Sequence, residues 1–332
     1  MSRQRHALLL GVNEYRDPEI HPLVAAKADA LAMYVFLLTK LRFDRAELVE
    51  PENGSAFLDS VERSAAELGP EDLLVVFYAG HGFEVNHKHY LLTPADRISR
   101  LRADLGSMHK EALVHAMRGR GCHRVLITDS CRSPLTAQRG GSAVAGSIAT
   151  DRDLGRKEAE AAGGSLTLFN ACDEGKTAAE MKEMKAGLFS RSLLEVWESR
   201  LEAGRAVTID TDVQVAVAAR MRETASRHGL EGDQWPWLMS SGQVPALSEG
   251  GPSGAAAPAP AWQNPPREKK RFFNMPPPPP DSTPVSPRLP PLEHGGRGGR
   301  IAIGILLFLL LSLFFKGLQQ HPAWTPFYHH GR

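Results

Sequence analysis

The side chains of this chain best suited to chemistry are a thiol, an imidazole and a carboxylate. Cys131 closes the stretch "HRVLITDSC", where the apolar run Val125 to Thr128 gives way to Asp129, Ser130 and the cysteine. His81 stands between Gly80 and Gly82 at the end of "DLLVVFYAGHG", fifty residues upstream of Cys131. A thiolate nucleophile, an imidazole that accepts and returns its proton, and donors for the oxyanion make the apparatus of a cysteine protease. The glycines beside His81 allow a sharp turn that leaves the imidazole exposed. Taken alone, Cys131 reads more naturally as a buried structural cysteine, because free cysteines are commonly buried. The pairing of two strand ends, GHG and DSC, is what points to catalysis.

Asp129 lies two residues before Cys131, so strand alternation puts both on the same side of the chain. A carboxylate in a partly desolvated pocket attracts Arg or Lys through a charge-assisted bond. The alternative is a strand-end cap that accepts from nearby backbone amides. Asp29 and Asp173 are further candidates for the same pocket, with a solvated helix face as the alternative for Asp29. His87 and His89 in "HGFEVNHKHY" sit on an expected hairpin and are of metal-ligating type. No nearby cysteine or carboxylate pattern completes a known site, so no metal is expected.

The elements that must position these residues alternate between strand and helix. "HALLLGVN", "AELVE", "DLLVVFYAGHG", "HRVLITDSC" and "SLTLFNAC" read as strands. The helices are "VAAKADALAMYVFLLTKL", with Leu31, Tyr34, Val35 and Leu38 on one face, then "AFLDSVERSAAEL", "KEALVHAMRG", "FSRSLLEVWESRL" and "DVQVAVAARMRETASRH". This alternation predicts an α/β fold whose mostly parallel central sheet is flanked by helices. In such sheets ligand and catalytic groups gather at the carboxyl ends of the strands. His81, Cys131 and Cys172 all follow strands there, whereas Cys122 begins one and lies at the other end.

With these motifs the chain resembles the caspase-like cysteine peptidases (peptidase C14), and among them the bacterial metacaspase-type members. The interval between His81 and Cys131 matches the caspase spacing. "ALLLGVNEYRDPEIHPLVAAKADALAM" resembles the family's first strand and helix, with Asp29 as its acid. "FNACDEGKTAAE" followed by "GLFSRSLLEVW" resembles the start of the smaller subunit, and "QWPWLMSSG" its end. The resemblance implies a caspase-like domain over residues 1–246. Within it, 1–135 is large-subunit-like, 136–164 a loop and 165–246 small-subunit-like. It implies that Cys131 attacks the scissile carbonyl, that His81 serves the leaving amine and the deacylating water, and that the Gly82 and Cys131 amides hold the oxyanion. It makes Cys172 a packing or pocket-wall residue, since Asn170 rather than an acid stands two before it. Animal caspases carry Gln-Ala-Cys and cut after an acid. Asp129 departs from that and, as in the metacaspase-like members, implies cleavage after Arg or Lys. Related enzymes are often cut in the loop, which here offers Arg139, Arg152, Arg156 and Lys157 for self-cleavage. No cofactor is called for. Some metacaspases need calcium and others do not, and no calcium-loop pattern stands out.

Composition bounds the remaining readings. The 332 residues are 42% hydrophobic and 23% charged, as in a globular protein, and the net charge of +1 gives no reason to expect a nucleic-acid partner. Three cysteines do not make a disulfide framework and suggest reduced thiols in a cytosolic compartment. Residues 247–299 are rich in Pro, Gly, Ala and Ser and read as a disordered, partly extended linker, with "PPPPP" as a candidate docking motif for a proline-recognising partner. The apolar run Ile301 to Phe315 follows, between Arg300 and Lys316. Residues 300–318 are therefore expected to be a single transmembrane helix, with 319–332 as a short tail. Basic residues crowd the amino-terminal side of this run (Arg267, Lys269, Lys270, Arg271, Arg288, Arg297, Arg300), which predicts that the catalytic domain faces the cytoplasm. Two other functions fit the same features. One is a catalytically silent caspase-like scaffold that recruits partners through the Pro-rich tether. The other is an esterase or transpeptidase using the same dyad.

Overall fold

The computed structural model describes residues 3–86, 88–135, 154, 157–158, 164–173, 175–230, 234–242 and 245–248. Its centre is built by near-continuous apolar runs. β1 (Arg5–Gly11), β3 (Leu73–Ala79) and β6 (His123–Asp129) are buried along almost their whole length, as strands covered on both faces must be. With β2 (Arg45–Leu48), β8 (Leu166–Asn170) and β11 (Trp237–Ser241) they form a six-stranded sheet of order β11-β8-β6-β3-β1-β2. Every pairing in it is parallel except that of the edge strand β11, which runs antiparallel to β8. The predicted α/β architecture is the one observed.

Alternate residues of each strand feed two separate cores. Val75, Phe77, Val125, Ile127 and Phe169 face α1 (Ala26–Thr39), α5 (Leu188–Glu202) and α6 (Thr211–Arg227), and Phe36 stacks on Trp197 with centroids 5.9 Å apart. Leu74, Val76, Tyr78, Leu126 and Leu168 face α2 (Gly54–Glu67) and α4 (Lys110–Ala116). Side-chain caps start the helices where the sequence provides them: Asn53 accepts from Ala56 N at 3.1 Å, and Asp210 from Val213 N at 2.9 Å.

The buried face of α1 differs from the expected one. Leu31 and Val35 are 50% and 46% exposed, while Ala26, Asp29, Ala30, Met33 and Leu37 are buried. The helix is apolar nearly all round, so periodicity does not select a stripe. Close packing does, because small alanines let α1 approach the sheet. The same approach crowds β1, where a Cβ on Gly11 would sit 2.8 Å from Lys27 Cα.

Between β3 and β6 the chain makes a hairpin, β4 (Gly82–Val85) and β5 (Lys88–Leu91), then a short α3 (Ile98–Arg102) that the pattern had not suggested. After Cys131, β7 (Ser133–Pro134) pairs parallel with β4. After β8, β9 (Glu180–Met181) and β10 (Ala186–Gly187) form a two-residue ladder leading into α5. Of the β6–β8 connection, Leu154 packs into the α2/α4 core and Glu158 is buried against Arg124. Among the described residues no helix is long and apolar enough to cross a membrane. The proposed span 300–318, its tail, nearly all of the linker 247–299 and most of loop 136–164 lie outside the described residues, as does His87.

Candidate active site

β3 and β6 are neighbours in parallel register, with Ala79 opposite Asp129. His81 and Cys131 therefore each follow their strand by two residues, on strands spaced about 4.8 Å apart. The ladder runs one step further, with Gly80 N donating to Asp129 O at 3.1 Å, before the two chains diverge. The imidazole is then held on several sides. Nε2 bonds to His21 O at 2.7 Å, and the ring lies 5.2 Å from Tyr15 and stacks on Phe83 at 6.2 Å. A carbonyl only accepts, so Nε2 carries the proton and Nδ1 is the basic nitrogen. The His81 N–H donates to the Tyr15 hydroxyl and its carbonyl accepts from Tyr78 Oη, which fixes the backbone beneath the ring. A Cβ on Gly80 would stand 2.5 Å from Tyr78 Oη, so this turn needs glycine.

Cys131 is partly exposed. Its sulfur faces the backbone of Ala178, whose N–H points to Sγ at 3.3 Å. Burial pushes the thiol up from its ordinary value, and the negative charges of Asp129 and Glu180 act in the same direction, against the Ala178 N–H. Burial also lowers His81, opposed by its bond to His21 O. Both shifts favour the neutral forms, a thiol at Cys131 and an imidazole at His81. Leu92 N donates to His81 O, which makes Gly82–Leu91 a non-hydrogen-bonded pair of the β4–β5 ladder. The Gly82 N–H is thus not used by β5. The glycine packs so closely on Cys131 that a Cβ there would be 2.5 Å from Cys131 O.

Beside the thiol lies a cluster of acids. Asp129 and Asp29, 7% and 5% exposed, converge on Gly187 from β6 and α1. A Cβ on Gly187 would collide with Asp129 Oδ2 and lie 2.8 Å from Asp29 Oδ2. Gly187 N donates to Asp29, at 2.9 Å to Oδ2, while Ser190 donates to Asp129 Oδ2 from its N–H at 3.1 Å and its hydroxyl at 2.6 Å. Asp129 thus does bond a nearby backbone amide, as the cap alternative foresaw, and it does so inside an acidic cluster. Burial, and then the charge of Asp129, raise Asp29 to about 8; burial raises Asp129 to about 6 against its bonds from Ser190. The third acid, Glu180, was not singled out in the sequence. It lies opposite Gly187 in the β9–β10 ladder, accepts from Ala25 N at 2.9 Å, and its charge raises both aspartates. Its signal was present in "KTAAE", but only the β9–β10 turn carries that segment back over α1. Among the described residues no Lys or Arg is ion-paired with any of the three acids.

Asp173 is exposed beyond the end of β8. His89 is buried and bonds to Cys131 O, and among the described residues no group of three metal-ligating side chains assembles. Cys172 is buried, with Sγ 3.4 Å from both Ser130 O and Lys176 O, and burial pushes its thiol up to about 12. Cys122 packs under the α2/α4 core, where burial raises it to about 11. Lys157 is exposed and adjoins Glu158, which the Arg118 and Arg124 guanidiniums hold at the amino end of β6. The length of β6, ~20 Å, separates that point from Cys131. Arg139, Arg152 and Arg156 lie outside the described residues.

The chain is similar to two proteins of known structure. A protein from Geobacter sulfurreducens of known structure aligns with a TM-score of 0.50 and 18% identity, over 72% of this chain and 94% of its own. Caspase-1 from Spodoptera frugiperda aligns with a TM-score of 0.43 and 11% identity, over 74% of this chain and 90% of its own. No curated protein matches significantly. The family model described as "Caspase domain" matches residues 4–246, a span that contains the whole six-stranded sheet, His81, Cys131 and the three acids. The chain belongs to the caspase-domain family of cysteine peptidases.

Proposed function

We propose that this chain is a cysteine endopeptidase that cuts after Arg or Lys. Cys131 Sγ passes its proton to His81 Nδ1 and attacks the scissile carbonyl, with the oxyanion received by the N–H groups of Gly82 and Cys131. The imidazolium then protonates the leaving amine, a thioester remains on Cys131, and His81 activates the water that hydrolyses it. The observation that carries the specificity is the cluster of Asp29, Asp129 and Glu180. Two of these carboxylates are raised by burial and mutual repulsion, and no described cation neutralises them. A guanidinium or ammonium placed among them supplies the missing charge, and an acidic residue there is repelled. Fluorogenic peptides ending in Arg, Lys or Asp test this, with Cys131→Ala as control. Turnover of the Arg and Lys peptides that vanishes in the control is expected. A preference for Asp would overturn the pocket assignment, and no Cys131-dependent turnover of any of them would favour the scaffold.

The same proposal holds that residues 300–318 anchor the protein in a cytoplasmic membrane by a single pass, with the peptidase domain on the cytoplasmic side. The linker 247–299 then acts as a tether and as a docking segment for a proline-recognising partner. The acyl-transfer chemistry calls for no cofactor, and a calcium requirement is read directly by adding a chelator to the peptide assay.

A further inference from the structure

The hairpin "EVNHKHY" contains a buried histidine that the acyl-transfer scheme does not use. His89 is 7% exposed on β5 and lies opposite Glu84, so its side chain shares a face with Gly82, its diagonal neighbour on β4. The missing Gly82 side chain opens the path between them. A Cβ there would be 2.7 Å from His89 Nε2 and 2.5 Å from Cys131 O, and Nε2 reaches that oxygen at 3.1 Å. Because a carbonyl only accepts, Nε2 is the protonated nitrogen. Burial, together with the charges of Lys110 and Arg132, keeps the ring neutral. Nδ1 is buried with no hydrogen-bond partner. A buried polar atom left unpaired is unfavourable, and a residue serving packing alone at this position would be apolar.

The bonds around the nucleophile show what this donor achieves. The peptide after Cys131 is held at both ends, its carbonyl by His89 and its N–H by Lys176 O at 2.9 Å. The peptide before it is held through Ser130 O by Cys172 Sγ at 3.4 Å, and Asp129 O by Gly80 N. These contacts set both backbone torsions of Cys131, and the torsions set where Sγ and the Cys131 N–H point. We infer that His89 is a positioning residue for the nucleophile, its Nε2–H clamping the Cys131 carbonyl so that Sγ and the oxyanion-facing amide keep their attack geometry. The inference rests on the reading of Cys131 as nucleophile, so its test needs a readout that does not depend on turnover.

The test compares the full chain with His89→Leu, which removes the donor, and His89→Gln, whose side-chain amide nitrogen reaches the position of Nε2. His89→Asn, whose amide is too short to reach Cys131 O, replaces His89→Leu if the latter does not fold. Alkylation of Cys131 by iodoacetamide, followed by mass spectrometry of the Cys131 peptide, reports thiol presentation whether or not a peptide is cleaved. Turnover of an Arg-ending fluorogenic peptide reports attack geometry. Losing the clamp is expected to slow alkylation severalfold and to lower kcat by about 10–100-fold with KM unchanged, since a displacement of ~1 Å at the reacting atom has that order of effect. His89→Gln is expected to restore both to within a few-fold. Wild-type alkylation in His89→Leu, or a His89→Gln protein as impaired as His89→Leu, overturns the inference. If the wild type cleaves no peptide, the peptidase reading fails by itself and the alkylation rates still decide the role of His89.

Discussion

At the scale of single residues the site is a contest between burial and charge. A thiol pushed up and an imidazole pushed down by the same desolvation start neutral, and on the proposed mechanism Cys131→Ala and His81→Ala should each abolish peptide turnover while leaving the fold intact. The acids make a sharper prediction. Asp129→Asn should lower kcat/KM for Arg-ending peptides by about 10²-fold, the size of a lost charge-assisted bond, and should narrow the gap to a neutral norleucine peptide. With Asp129 near 6 and Asp29 near 8, ionisation of the pocket completes as pH rises. The ratio of kcat/KM for Arg over norleucine peptides should therefore climb between pH 5 and 8, and a flat ratio would count against the pocket. Stability runs the opposite way. Both folded values lie above the ordinary carboxylate value, so the native state holds more protons than the unfolded chain over this window and loses stability as pH rises through it. Asp29→Asn should accordingly raise the melting temperature by a few degrees at pH 8 and by less at pH 5, about 2–4 °C per kcal/mol for a domain of this size.

At the scale of elements, two close approaches hold the site together. Gly187 lets the start of α5 come down onto both aspartates, and Gly82 lets β4 pass Cys131 O. Gly187→Ala should destabilise the domain by ~1–3 kcal/mol in chemical denaturation and also weaken Arg selectivity, because the methyl group can only be accommodated by separating α5 from the carboxylates. An unchanged denaturation midpoint would mean that α5 shifts freely. β1, β3, β6 and β8 were legible in the sequence because a short apolar run that stops abruptly at polar residues has the length and pattern of a strand buried on both faces, whereas the edge strand β11 was not read as one. The register of the strands was not legible, and neither was the buried side of α1. Leu31 and Val35 proved to be solvated while Met33, Phe36 and Leu37 pack inward with the alanines, since α1 is apolar nearly all round and its buried side is decided by how closely it approaches the sheet rather than by summed hydrophobicity. Glu180 was hidden for a related reason: its neighbours in sequence are small and unremarkable, and only the β9–β10 turn returns it to the acids.

At the scale of the whole molecule, the β6–β8 connection separates the ends of the sheet. Glu158, clamped by Arg118 and Arg124 at the amino end of β6, keeps Lys157 at a distance from Cys131 of its own chain. Processing at Lys157, if it occurs, should therefore be intermolecular. Its rate per molecule should rise with protein concentration, and inactive Cys131→Ala protein should be cut by added wild type; a concentration-independent rate would show that the chain reaches its own loop. The proposed anchor is tested by fractionation, since protein shortened after Gly299 should leave the membrane pellet, and retention there would exclude residues 300–318 as the tether. Residue types and strand endings alone pointed to the proposed chemistry, because a thiol and an imidazole placed after two buried strands are constrained by a period of two and by the carboxyl-end rule for parallel sheets. The tertiary structure alone brought the acids together. Asp29, Asp129 and Glu180 come from three separate segments, and the raised values of the two aspartates arise from burial beside other negative charges, a property that belongs to the assembled fold and to no stretch of the chain.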